Sequence, residues 1–213
     1  ALFADGQADT PVRPFVFSPV ILCYNLNHFR ERRVFEPDSS WTWDDLRQAL
    51  RQLKGQNRYG LFFRLSSINR WPILLLQSGI SFVRQNGSLV PNSPNMLETL
   101  REMRDLIHEE GLFPQMIAFS HHDVEQLFKQ QKASVILTTY YSLNKLADAD
   151  FPFEIAQLPR SKEGAKTLLL CTGVAVNASS VMKKEAERFA EFLLSEEAQA
   201  FIRRRTFTLP ADK

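Results

Sequence analysis

Long apolar runs are missing from this 213-residue chain. The longest, "WPILLL" and "LLLC", fall far short of the roughly 20 residues that a membrane-spanning helix needs. Cysteine is scarce: Cys23 and Cys171 are the only two, which excludes both a disulfide framework and the ligand spacing of a structural metal site. Each sits in an apolar, strand-like run where a buried free thiol is the default. The eight glycines are scattered, and "GVAVNAS" has the spacing of neither nucleotide-binding fingerprint, so nucleotide catalysis is not expected. A charge excess is absent as well. Lys plus Arg number 26 against 24 Asp plus Glu, a balance that argues neither for nor against a polyanionic partner. The one dense basic cluster, Arg203 to Arg205, closes a predicted helix, where cations complement the dipole. No direct nucleic-acid contact is expected from it. No charged-then-apolar leader stands at Ala1, so the compartment must be argued from other features.

What is present is a core. A hydrophobic content of 44% suffices for one large domain or two small ones. Runs rich in Val, Ile and Phe predict strands at Phe15 to Tyr24, Tyr59 to Leu65, Ser134 to Tyr141, Phe151 to Leu158 and Thr167 to Val176. Helical patterns lie between and after them. In "TWDDLRQALRQLKG", Thr42 is placed to cap, with Asp45 three residues on; Leu46, Ala49, Leu50 and Leu53 share one face, and Gly55 follows the end. Ser93 and Pro94 start a second helix with Leu97, Leu100, Met103 and Ile107 aligned before Gly111. A shorter one starts at Ser120 and Asp123 and buries Val124, Leu127 and Phe128. Ser180 leads a helix burying Ala186, Phe189, Ala190 and Leu193, and Ser195 caps the last. Strands separated by helices predict an α/β fold with a largely parallel or mixed sheet.

Catalytic constellations are not legible. "QSGIS" lacks the flanking glycines of a nucleophile elbow. His121, His122 and Asp123 are adjacent in "SHHDVEQ", so their side chains diverge by about 100° per residue on a helix instead of converging on a metal; no metal and no cofactor is expected. The acid pairs Asp44 with Asp45 and Glu196 with Glu197 fall in first turns, where capping and the dipole account for them. The aromatics near strand ends have two readings. Trp71, after "SSINR", and Tyr140 with Tyr141 either pack at the rim of the core or offer flat rings to a sugar, with Asn and Arg neighbours for its hydroxyls.

The order of these segments resembles the extracellular solute-binding proteins of ABC importers, in particular the maltose-type and other sugar binders. "FVFSPVILCYNLNHF" is similar to that family's strand ending in Tyr-Asn, here Tyr24 and Asn25. "TWDDLRQALRQL" is similar to its Thr-Trp-Asp helix, and "RWPILLLQSG" to its tryptophan-led helix ending at Gly79. "LFKQQKASVILTTYYSL" looks like the short helix that hands over to a strand ending in an aromatic. "FEIAQLP" and "TGVAVNASSVMKKEAERFAEFLLSEEAQAFI" look like the Leu-Pro strand and the return strand with its two helices.

The resemblance implies a periplasmic-binding-protein-like fold in which two α/β lobes joined by hinge strands close on a ligand without making or breaking a bond. It implies a first-lobe remnant and hinge strand at 1–27, a second lobe at 28–170, and a return hinge strand with first-lobe helices at 171–213. It carries Trp71, Asn69 and Arg70 onto the family's ligand-contacting turn, Tyr140 and Tyr141 onto a sugar-stacking position, and Gly173 onto a small residue near the cleft. The implied partners are a small polar solute, a sugar or oligosaccharide, and an ABC permease; the implied location is extracellular or periplasmic, with a lipid anchor in the full-length protein. Most of the first lobe has no counterpart here. Either that lobe lies elsewhere in a longer polypeptide or another chain covers the helices after Ser180. Two free thiols leave an alternative open, the same module serving as the ligand sensor of a cytosolic transcriptional regulator.

Overall fold

The computed structural model describes residues 12–67, 69–80, 94–109, 112–114, 123–161 and 164–211. Ser93, Gly111, Ser120, His121 and His122 lie outside the described residues. In chain order the elements are β1 (Val12–Asn25), α1 (Leu26–Arg32), α2 (Trp43–Leu53), β2 (Tyr59–Phe62), α3 (Pro72–Gln77), α4 (Pro94–His108), α5 (Val124–Lys129), β3 (Ala133–Thr139), a 3-10 helix (Tyr140–Leu146), β4 (Phe153–Ala156), β5 (Leu169–Ala175), α6 (Lys183–Leu193), α7 (Glu196–Arg205) and β6 (Leu209–Pro210). They form two compact units, Pro19–Leu168 and the remainder.

The Pro19–Leu168 unit has the strand order β2-β3-β1-β4. β2 and β3 run parallel, with Phe62 opposite Ile136, while β1 is antiparallel to both β3 and β4. The sheet is therefore mixed. Every residue of β3 is buried, as expected of a central strand with helices on its faces. α2 packs onto this sheet because its sequence starts and stops it cleanly. The Thr42 amide donates to Asp45 Oδ2 at 2.9 Å and the Asp45 amide to Thr42 Oγ1 at 3.2 Å, a reciprocal cap that satisfies two donors. Leu46, Ala49, Leu50 and Leu53 are the buried residues, as the spacing predicts. The helix comes down so closely that a Cβ on Gly60 would lie 2.9 Å from Leu50 Cβ and 3.0 Å from Leu50 O. Within the same unit the Val20 amide donates to Leu168 O at 3.0 Å and Thr167 Oγ1 to Val20 O at 2.7 Å, tying the start of this unit to its end.

Several boundaries differ from the sequence expectation. β2 ends at Phe62, because the apolar run beyond it leaves the ladder for the core: Phe63 is buried with its ring 5.1 Å from that of Phe113. β3 ends at Thr139, whose hydroxyl accepts from the Ser142 amide at 3.2 Å and caps the 3-10 helix; Tyr140 and Tyr141 are therefore helical, not strand residues. In α4 the buried residues are Thr99, Leu106 and Ile107, and Leu97 is 44% exposed. The face is turned toward α3, where Thr99 Oγ1 donates to Ser78 Oγ at 2.8 Å.

The second unit comprises the first part of β1 with β5, α6, α7 and β6, and both β5 and β6 pair with β1. Ser195 caps α7 by accepting from the Ala198 amide. α6 starts later than its sequence predicts, at Lys183, because Ser180 Oγ accepts the Met182 amide in a turn before it. Only Ala190 of α6 is buried, and Phe189 is 60% exposed.

Two consequences can be measured. Gly60→Ala should destabilise the fold by about 1–3 kcal/mol, the usual cost of overpacking against backbone, read as a lower denaturant midpoint with an unchanged slope. His28, buried with its Nδ1 3.1 Å from Ser134 Oγ, has a pKa lowered from 6.5 to about 4, first by burial and then by Arg58. The unfolded chain thus takes up this proton first, so stability is fully present above about pH 6.5 and is lost as pH falls toward 4. Chemical denaturation across that window should show this fall, and His28→Gln should flatten it.

Candidate functional site

The parallel pairing of β2 and β3 brings their carboxyl ends to the same edge of the sheet, and in open α/β sheets ligands collect beyond such ends. The segment after β2 is a chain of tight turns. The Ser67 amide donates to Arg64 O, the Arg70 amide to Ser67 O and the Ile73 amide to Arg70 O, at 3.1 to 3.2 Å. These deliver Trp71 to the position before Pro72, the first residue of α3. A proline there forfeits no helical hydrogen bond.

Asn69 and Arg70 lock each other: Arg70 Nη1 donates to Asn69 Oδ1 at 2.7 Å, and Ser67 Oγ donates to the same oxygen. Burial lowers the Arg70 pKa, and the nearby Glu125 carboxylate opposes that shift. Trp71 and Tyr140 are half-buried, each packed against the unit's core. Tyr141 is 58% exposed. Asn69, Arg70, Trp71, Tyr140 and Tyr141 thus all belong to the Pro19–Leu168 unit and follow its two parallel strands. Gly173 belongs to the other unit, in β5; a Cβ there would collide with Val12 Cγ1 and sit 3.2 Å from Arg13 O. Its lack of a side chain is thus explained by close backbone approach to β1.

Sequence reasoning missed a second group next to this edge. Glu125, on the first turn of α5, is only 6% exposed. Thr138 Oγ1 donates to its Oε1, and Lys145 Nζ lies 3.5 Å from its Oε2 and 2.7 Å from Asp123 Oδ2. Burial raises the Glu125 pKa, while Asp123 is held well below the usual carboxylate range by its hydrogen bonds to Glu125 and Lys145. In sequence Glu125 is one more acid in a helical first turn, where the dipole suffices to explain it. Only the fold reveals its burial.

Two surface depressions, of ≈ 790 and ≈ 570 Å³, lie on the same unit, one lined by Asp123 with Tyr59, Gln126 and Gln130 and the other beside Trp43, Arg47 and Thr99. None of the predicted site residues lines either. Cys23 and Cys171 are free, and burial pushes the Cys23 thiol up, which makes it a packing group and not a nucleophile. Among the described residues no group of three or more His, Cys, Asp and Glu is placed to hold a metal, and no helix is long and apolar enough to cross a membrane. The edge offers rings, amides, hydroxyls and a guanidinium. These are groups able to stack on and hydrogen-bond a polar ligand.

Comparison with known proteins bears on the family and the fold. The family model described as bacterial extracellular solute-binding protein matches residues 4–200. The arabinooligosaccharide-binding protein of Bacillus subtilis is 25% identical over 183 residues, covering 81% of this chain and 41% of that protein. Among solved structures, the ABC substrate-binding protein Lmo0181 from Listeria monocytogenes in complex with cycloalternan superposes with a TM-score of 0.86 at 23% identity, covering 94% of this chain and 52% of that one. Maltose-bound T. maritima MalE3 gives a TM-score of 0.80 at 18% identity, covering 95% and 55%. The chain thus spans about half the length of the proteins it matches, and its fold is periplasmic-binding-protein-like.

Proposed function

The chain belongs to the bacterial extracellular solute-binding protein family, and on that premise we propose that it carries part of the solute-recognition surface of an ABC importer's binding protein, with a sugar or oligosaccharide as the solute. The observation that carries this reading is that Trp71 and Tyr140, both half-buried on one core, follow in the chain two parallel strands that end on one edge of the sheet. Rings seated this way keep one part fixed by packing and leave another for the apolar face of a sugar, and stacking costs little entropy because the ring is already ordered. Asn69 and Arg70 supply polar groups beside Trp71, and Tyr141 extends the surface outward. Gly173 serves the same protein from the other unit by letting β5 approach β1.

The mechanism is recognition without chemistry. Solute stabilises the conformation that it binds best, and that population shift is what an ABC permease reads. The relatives' names and titles pair proteins of this kind with arabino-oligosaccharide, cycloalternan and maltose, which supports the carbohydrate class. Phe189, Phe192 and Phe201 of α6 and α7 are exposed; we read this apolar surface as covered in the working protein by the remaining part of the first lobe or by a partner chain.

A thermal-shift panel of maltose, maltotriose and arabino-oligosaccharides tests the reading on the full-length protein. A sugar at about 100 times its Kd adds about 2.7 kcal/mol to stability, and Trp71→Ala and Tyr140→Ala should each abolish most of that response. Variants that respond like the parent would overturn the assignment of this edge.

A further inference from the structure

Resting on the reading of Trp71 and Tyr140 as solute-facing, we propose that Glu125 is a positioning residue for that site: through Thr138 and Lys145 it fixes the junction at which β3 becomes the 3-10 helix presenting Tyr140 and Tyr141. The junction is short. Thr138 and Thr139 are the last residues of β3, both buried, and Tyr140 is the first of the 3-10 helix. Two side-chain clasps hold it. One is local, Thr139 Oγ1 lying 2.8 Å from Ser142 Oγ and accepting the Ser142 amide. The other is the Glu125 carboxyl, which reaches across from α5 to Thr138 on one side of the junction and Lys145 on the other.

A carboxyl buried this deeply costs stability unless its oxygens are occupied, and here each faces a donor. Among the described residues, titratable groups face it from several neighbouring segments. Arg70, with Arg64 beside it, comes from the segment after β2, Lys145 from the 3-10 helix, Asp123 from the residue before α5, and the Cys23 thiol from β1. Lys145 Nζ is closer to Asp123, at 2.7 Å, than to Glu125, at 3.5 Å, so the Glu125 carboxyl is the less compensated of the two acids and burial raises its pKa. Protonation relieves the cost of burying Glu125 while leaving Oε1 able to accept from Thr138, and that relief is its pH-dependent contribution. Because its pKa is raised, this contribution is complete at low pH and is lost as pH rises through the titration of the folded form. That direction is opposite to the His28 effect.

The test is amide hydrogen exchange of the full chain without sugar, corrected for the intrinsic pH dependence of exchange, comparing Tyr140 to Leu146 with Leu50 and Leu61 as internal references. In the parent, protection of the junction relative to the references should fall severalfold as pH rises. Glu125→Gln, a neutral isostere that keeps an oxygen for Thr138, should hold the junction protected at every pH. Glu125→Ala should lose about tenfold or more of junction protection while the references stay unchanged. If Glu125→Ala does not fold, the parent and Glu125→Gln profiles still decide. A junction insensitive to pH in the parent, or a Glu125→Gln profile that follows the parent's, overturns the proposal. A sugar titration on the same samples separates the two readings: junction loss without any sugar binding in the parent removes the solute assignment and leaves Glu125 as a purely structural clasp, whereas intact binding in Glu125→Ala contradicts the positioning role.

Discussion

The constraint on which the rest depends is the parallel pairing of β2 with β3 beneath α2. Parallel strands need a long crossover, here supplied by the chain from α3 to α5, and they bury both faces. That burial explains why all of β3 is apolar or hydroxyl-bearing, and why Gly60 is the only size of residue that fits under Leu50. It also has a functional consequence. Two parallel strands must end on the same edge, so the segments that follow them, which carry Trp71 and Tyr140, set out from one side of the sheet.

Local signals in the sequence determine structure where the physics is local. The Thr42 and Asp45 cap, the face of α2 and the Ser195 cap depend only on residues a few positions apart, and they form as the spacing predicts. What the sequence could not show was set by tertiary neighbours. Phe63 extends an apolar run yet leaves the strand for Phe113; Leu97 keeps helical spacing yet lies outside the face that α4 turns to α3. Tyr140 and Tyr141 read as the end of a strand because nothing in the pattern announces that Thr139 will cap a 3-10 helix.

The candidate site divides in the same way. Its aromatic half was legible because rings beyond strand ends are uncommon unless they pack or bind, and the family resemblance gave them an order. Its ionic half was not. Asp123, Glu125 and Lys145 are spread over 23 residues, and only the packing of α5 against β3 converts them into one buried cluster. The cost of burying Glu125 is offset by Thr138 and Lys145. Among the described residues, the Nδ2 of Asn25 is buried without a hydrogen-bond partner although its Oδ1 caps α1; an orphaned buried donor costs about 1–3 kcal/mol.

The central claim is that solute binds at the edge shared by β2 and β3. A crystal structure of the full-length protein with the sugar that it binds tests this directly. The account predicts ring density in contact with Trp71 and Tyr140. Density confined instead to the depression beside Tyr59 and Gln126, or to the one beside Trp43 and Arg47, would contradict it.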